Sequence, residues 1–158
     1  MQQKKLYWEI TMQDEYLILS PTRTELLRIA SVDILYIHAD GNSSDLYLTN
    51  GEKQTISMQL GEIENTIKNQ LKKTAVNLVR IGKSHIINRT YIYKIDTVKQ
   101  HLILSVGNNG RSIDYNIFKV ESKKPNHTFT LRDEHINVCI EDISKDQLKA
   151  LKAITERM

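Results

Sequence analysis

The sequence has a single cysteine, Cys139, among 158 residues. That excludes an intrachain disulfide, and no Cys/His set has the spacing of a zinc site, so a reduced interior with neither metal nor cofactor is expected. Its histidines, His38, His85, His101, His127 and His135, fall in separate segments without a cysteine or carboxylate at ligand spacing. The opening stretch MQQKKLYWEITMQDE is broken by charge too early for the apolar region of a signal peptide. No run approaches the apolar length that crosses a bilayer, so no membrane insertion is expected and the chain reads as cytoplasmic. No nucleophile–base pair or carboxylate pair can be argued from spacing, so the chain does not read as an enzyme. Internal repeats and low-complexity segments are absent as well.

Acidic residues are missing where they would matter most for partner choice. The net charge is only +3, yet residues 1–65 carry five Lys/Arg against ten Asp/Glu, and residues 66–124 carry twelve against three. From Thr66 to Ile95 there are seven basic residues and no acid. A basic block inside an otherwise acidic chain points to a polyanion-binding face. The plainer alternative is a solvated helix face carrying Lys68, Lys72 and Lys73.

What is present is mostly β-patterned. Leu6, Trp8 and Ile10 alternate with polar partners, and Tyr16–Leu19 ends at Ser20-Pro21, where proline removes a ladder donor. Asp33-Ile34-Leu35-Tyr36-Ile37 is a continuous apolar run of strand length. Asp40-Gly41-Asn42-Ser43-Ser44 has turn chemistry, Leu46-Tyr47-Leu48 is a second strand, and Asn50-Gly51 predicts a tight hairpin that pairs Gln54–Ile56 back. Ser57 is the expected N-cap of a helix over Met58–Lys73, with Leu60, Ile63, Ile67 and Leu71 on one stripe. Strand patterns resume at Leu78–Ile81, His85–Ile87, Tyr91–Ile95 and His101–Leu104, with a turn at Gly107–Gly110 and a return over Arg111–Asp114. Residues 121–126 read as a linker. A hairpin with Asp133-Glu134 at its tip follows, and then a helix opened by Ser144 and Gln147 at capping-box spacing.

Two motifs go beyond generic patterning. Asp33-Ile34-Leu35-Tyr36-Ile37-His38-Ala39-Asp40-Gly41-Asn42 and Leu78-Val79-Arg80-Ile81-Gly82-Lys83-Ser84-His85-Ile86-Ile87-Asn88 resemble the two signature segments of LytTR domains, the DNA-binding modules of the LytR/AlgR/AgrA regulators. The resemblance covers about two thirds of the chain, with the elements in the family's order. It implies a mainly β fold, an elongated stack of small antiparallel sheets with one helix, here followed by a C-terminal β-hairpin and amphipathic helix. Residues 1–23 would be strands leading in, 24–120 the LytTR-like domain, and 121–158 an extension.

The resemblance also implies sequence-specific binding of double-stranded DNA by loops at strand ends. Those loops would be Asn42-Ser43-Ser44, Lys83-Ser84 and Tyr115-Asn116, with Arg80, Arg89, Arg111 and Lys119 at phosphates. Asn116 stands where relatives commonly have arginine, and Ser43-Ser44-Asp45 is small and acidic where they place bulkier or basic residues. The response-regulator relatives usually carry a receiver domain, which this sequence is not expected to include. Leu148, Leu151 and Ile154 form a stripe in the last helix that is expected to serve a homodimer or protein partner through residues 121–158. The alternative function is a protein-interaction module on the same fold that has lost DNA binding. Asn88 and Ile86-Ile87 read as structural, His85 as a packing residue, and Cys139 as an inert thiol.

Overall fold

A computed structural model of the chain describes residues 15–107 and 127–158. The strand expected over Leu6–Ile10, the return over Arg111–Asp114 and the 121–126 linker lie outside the described residues. Strands β1 (Tyr16–Leu19) and β2 (Leu27–Ala30) pair as an antiparallel hairpin, Tyr16 opposite Ala30. β3 (Ile34–Asp40), β4 (Ser43–Leu48), β5 (Lys53–Ile56), β6 (Leu78–Ile81) and β7 (His85–Asn88) form a five-stranded antiparallel sheet in the order β5-β4-β3-β7-β6. β8 (Ile92–Asp96), β9 (His101–Gly107), β10 (His127–Arg132) and β11 (His135–Ile140) form a four-stranded sheet in the order β10-β11-β9-β8. The C-terminal hairpin therefore joins a sheet: Ile136, Val138 and Ile140 of β11 pair with Val106, Leu104 and Leu102 of β9. Its tip is a two-residue turn in which both Asp133 and Glu134 have positive φ, the hallmark of a type I′ connection.

The apolar run at Ile34–Ile37 is explained by cover on both faces. Ile34, Ile37, Leu46, Ile56 and Ile86 pack with Leu60, Ile63, Ile67 and Leu71 on one side. Leu35, Tyr36, Tyr47, Ile81 and Ile87 pack on the other side with Leu102, Leu104, Val106 and Val138. Strict alternation would put Ile34 and Ile37 on opposite faces; a register shift between Ile34 and Tyr36 corrects this by inserting one residue against β4. A strand buried on both sides needs apolar residues at every position, which is what the sequence supplies.

The first helix, α1 (Leu60–Gln70), is shorter at both ends than the expected Met58–Lys73, and its N-cap is Gln59 in place of Ser57. At the N-terminal side, the Ser57 amide donates to the Pro21 carbonyl at 3.1 Å and the Met58 carbonyl accepts from Ser44 Oγ at 2.9 Å. These contacts hold Ser57 and Met58 outside the helix. At the other end the Glu15 carboxylate accepts the backbone N–H groups of Lys72, Lys73 and Thr74 at 2.7–2.8 Å, and the Thr74 hydroxyl at 2.9 Å. Those amides would otherwise continue the helical ladder, so the carboxylate ends it. Burial pushes the Glu15 carboxyl up, but the hydrogen bonds from Thr74, Lys72 and Lys73 together outweigh it and hold the pKa at about 2.

The last helix, α2 (Lys145–Glu156), has the full capping box expected of Ser144 and Gln147. Its stripe does not form an exposed partner surface. Leu148 and Leu151 are 0% and 2% exposed, within the same core as Ile143, Phe129 and the inner face of the four-stranded sheet. Ile154 is half-buried beside Val79–Gly82. The physical reason is that Ile143 and the Ser144 cap turn the chain back over its own sheet, so the apolar face is used up internally.

Leu148→Ala is therefore expected to cost about 2–5 kcal/mol, the usual range for a fully buried leucine, with no change in oligomeric state. Urea unfolding and sedimentation equilibrium read the two quantities separately; a dissociating oligomer with unchanged subunit stability would contradict the assignment. For Glu15, a depressed folded-state pKa means the stabilisation is complete above pH 4.5, its ordinary value, and is lost as pH falls toward about 2. Glu15→Gln should lower the urea midpoint at neutral pH and flatten its decline across that acid window.

Candidate nucleic-acid interface

Antiparallel pairing of β3 with β7, His38 opposite His85, sends two of the expected loops out of the same end of the five-stranded sheet. The Ala39 N–H donates to the Ser84 carbonyl at 2.8 Å and holds them side by side. The first loop is a two-residue turn, since Asp40 already pairs with Ser43. Gly41 takes the positive φ of 63° that this turn requires. The second is Gly82-Lys83-Ser84, with Gly82 at φ 59°. A Cβ on Gly82 would also fall inside contact distance of the Gln147 amide, so α2 abuts this loop.

The sequence-derived residues are sorted by this geometry. Asn42 is exposed, with its Oδ1 accepting from Gln59 Nε2 at 3.4 Å. Ser43 is half-buried and its hydroxyl donates to the Asp40 carbonyl at 3.0 Å. Ser44 belongs to β4, is fully buried, and spends its hydroxyl on the Met58 carbonyl. As placed it cannot reach a base. Asp45 is likewise enclosed, accepting from the Thr55 hydroxyl at 3.0 Å, so it presents no acid toward phosphates. Lys83 is exposed and Ser84 half-buried.

Arg80 acts beneath the second loop. Its Nε donates to the Gly82 carbonyl at 2.8 Å, a second nitrogen lies 3.5 Å from the Lys83 carbonyl, and the third pairs with Glu64 at 3.3 Å. Arg89 follows β7 at the end opposite Lys83-Ser84, about 13 Å along a four-residue strand, and donates to Asn77 Oδ1 at 3.3 Å. Arg111, Asn116 and Lys119 lie outside the described residues. Lys68, Lys72 and Lys73 sit at or beyond the C-terminal end of α1, whereas its N-cap Gln59 touches Asn42. The helix is about 16 Å long, so these lysines are separated from the loops, and Lys68 pairs with Glu64 at 3.8 Å. The acid-free block is contiguous in sequence and divided in space. Asn88, read as structural, is so: it is buried, donates to the Ile34 carbonyl at 2.8 Å and accepts from the Thr90 amide at 3.1 Å.

One grouping was missed from sequence. His38, His85, His127 and Asp142 each bring a ligand-type atom within 4.8 Å of the others, so histidines that are scattered along the chain converge in space. Strand alternation already puts His38 with Tyr36 and His85 with Ile87. No local pattern shows that β10 would bring His127 to the same face. His85, expected to pack, is 1% exposed.

The family profile of the LytTr DNA-binding domain matches residues 24–115. Among solved structures, this chain is similar to the LytTr DNA-binding domain of a Bacillus cereus protein described as a methyl-accepting/DNA response regulator. Identity is 19% and the TM-score 0.42, over 60% of this chain and 80% of that one. No curated protein matches.

Ser44→Ala tests the assignment of that hydroxyl to the fold. It leaves the Met58 carbonyl without its buried donor and should cost about 1–3 kcal/mol in urea unfolding. An unchanged stability would show that the hydroxyl is free for another role.

Proposed function

This chain belongs to the LytTR family of DNA-binding domains, and from that premise we propose that it binds duplex DNA sequence-specifically as a transcriptional regulator. The observation that carries the reading is the shared exit of the Gly41-Asn42 and Gly82-Lys83-Ser84 turns from one end of a sheet whose core is closed on both faces. A pair of turns held in register by a backbone hydrogen bond can enter a groove as a unit, without a recognition helix. Asn42 has an exposed amide that can pair with adenine, and Lys83 offers a donor to guanine or a charge to a phosphate. Ser43 and Ser84 flank them as polar neighbours. Arg80 supports Lys83 through the two loop carbonyls and is only partly accessible to a phosphate. We assign Asn116 to base contact and Arg111 and Lys119 to phosphates on the strength of the family resemblance. Arg89, at the far end of β7, drops out of this surface.

A specific observation favours a second reading, a protein-interaction module. Ser44 is enclosed, Arg80 is paired with Glu64, and Lys83 is the one cation within the two turns. That is a thin electrostatic footing for a polyanion.

Fluorescence anisotropy with a randomised duplex pool, repeated over a salt series, separates the two. The DNA reading expects salt-sensitive binding that enriches a defined sequence. Lys83→Ala should weaken it and reduce the slope of log K against log salt by about one. Absence of binding at low salt would remove the DNA reading and leave the protein-interaction module.

A further inference from the structure

Directly behind the two turns lies the cluster of three imidazoles and one carboxylate. His38 on β3 and His85 on β7 are cross-strand neighbours, His127 opens β10, and Asp142 follows β11. Each ring turns its Nε2 toward the Asp142 carboxylate. His85 Nε2 and His127 Nε2 lie 3.3 and 3.4 Å from Asp142 Oδ1, and His38 Nε2 lies 3.6 Å from Oδ2. The two buried rings approach each other at 3.2 Å, Nε2 to Nε2. A tetrahedral ion with bonds of about 2.0–2.1 Å has ligand–ligand edges of about 3.3–3.4 Å; the 3.2, 3.3 and 3.4 Å separations among His85 Nε2, His127 Nε2 and Asp142 Oδ1 match one face of that figure, with His38 Nε2 within 4.8 Å as the fourth donor. The side chains of His85 and His127 are 1% and 2% exposed, while His38 and Asp142 at 16% and 25% leave a way in from solvent.

The surroundings hold this geometry. The Tyr36 hydroxyl lies 3.2 Å from His127 Nδ1, and Tyr36 is itself fixed by stacking on Tyr47 at 4.5 Å between ring centroids. A partner on Nδ1 fixes ring orientation and directs the Nε2 lone pair toward an ion, the usual role of groups behind metal-bound histidines. Three imidazoles and one carboxylate suit zinc and its divalent d-block neighbours. Calcium and magnesium prefer all-oxygen sets, and copper(I) prefers sulfur.

We propose that His38, His85, His127 and Asp142 bind a divalent d-block cation, zinc first, which clamps the C-terminal hairpin and the start of α2 onto the five-stranded sheet. Two ligands come from the strands that carry the candidate DNA turns and two from the C-terminal segment. His38 precedes the Gly41-Asn42 turn by three residues, and His85 directly follows Ser84. Binding therefore cross-links distant parts of the chain immediately behind both turns. An influence on duplex affinity follows only if the DNA-binding reading holds; the site itself does not depend on it.

A second grouping, His101, Cys139 and Glu141, supplies the internal control. His101 Nε2 is 3.6 Å and Cys139 Sγ 4.0 Å from Glu141 Oε1, in a partly exposed setting. Burial first, and Glu141 second, keep the Cys139 thiol above its ordinary range and so protonated, a poor state for a ligand.

The test uses the full chain stripped with a chelator, then titrated with Zn²⁺ by calorimetry and with Co²⁺ by visible absorption. One ion per chain is expected, with the strong visible bands of four-coordinate Co²⁺ and a thermal midpoint that rises with Zn²⁺ concentration. Tyr36→Phe keeps the ring and removes the hydroxyl, and should weaken binding by about 10–100-fold. His38→Gln and Asp142→Asn, the two more exposed ligands, should weaken it further, and Cys139→Ser should leave it unchanged. Circular dichroism of each variant shows that the fold is retained. No stoichiometric binding by the parent would overturn the proposal, as would full binding by a folded His38→Gln/Asp142→Asn double variant, or loss of the ion in Cys139→Ser. None of these readouts involves DNA, so they stand apart from the duplex-binding experiment.

Discussion

Strand β3 is covered on both faces, and most of the architecture follows from that requirement. α1 and the β1–β2 hairpin can shield Ile34 and Ile37, but they leave Leu35 and Tyr36 facing the other way. The second sheet and α2 supply the missing cover. That is why the C-terminal hairpin pairs with β9 and why Leu148 and Leu151 are spent on the chain's own core. The same constraint sets up the end of the molecule that carries the candidate turns. A sheet held from both sides gives its strand-end turns a fixed platform, and the β3–β7 pairing, extended by the Ala39 N–H to Ser84 carbonyl bond, keeps two of them in register.

Local chemistry made much of this legible in the sequence. Asn50-Gly51, Asp133-Glu134 and the Ser144/Gln147 box act within a few residues, so the two hairpins and the cap could be read directly. The boundaries of α1 could not, because they are set from afar: Glu15 takes the amides at one end, and Pro21 and Ser44 hold Ser57 and Met58 at the other. Ser44 has the appearance of a turn residue, and only the pairing of Asp40 with Ser43 shows that it has entered β4. The histidine cluster depends on tertiary pairing altogether, since no spacing rule spans from residue 38 to residue 142.

Charge illustrates the same limit. The acid-free run from Thr66 to Ile95 reads as one basic patch, but α1 carries its lysines away from the turns and Glu64 answers both Lys68 and Arg80. What remains at the turns is Lys83, two serines, Asn42 and the exposed carboxylate of Asp40, a surface suited more to reading bases than to gripping a backbone by charge alone.

The most direct test of the central claim is to map backbone amide chemical shifts while a selected duplex is added to the chain. The largest changes are expected to cluster at Gly41-Asn42-Ser43 and Gly82-Lys83-Ser84, with little change at the Asn50-Gly51 turn on the opposite end of the sheet. Changes centred on Asn50-Gly51, or on the α1 lysines with the two turns unmoved, would contradict it.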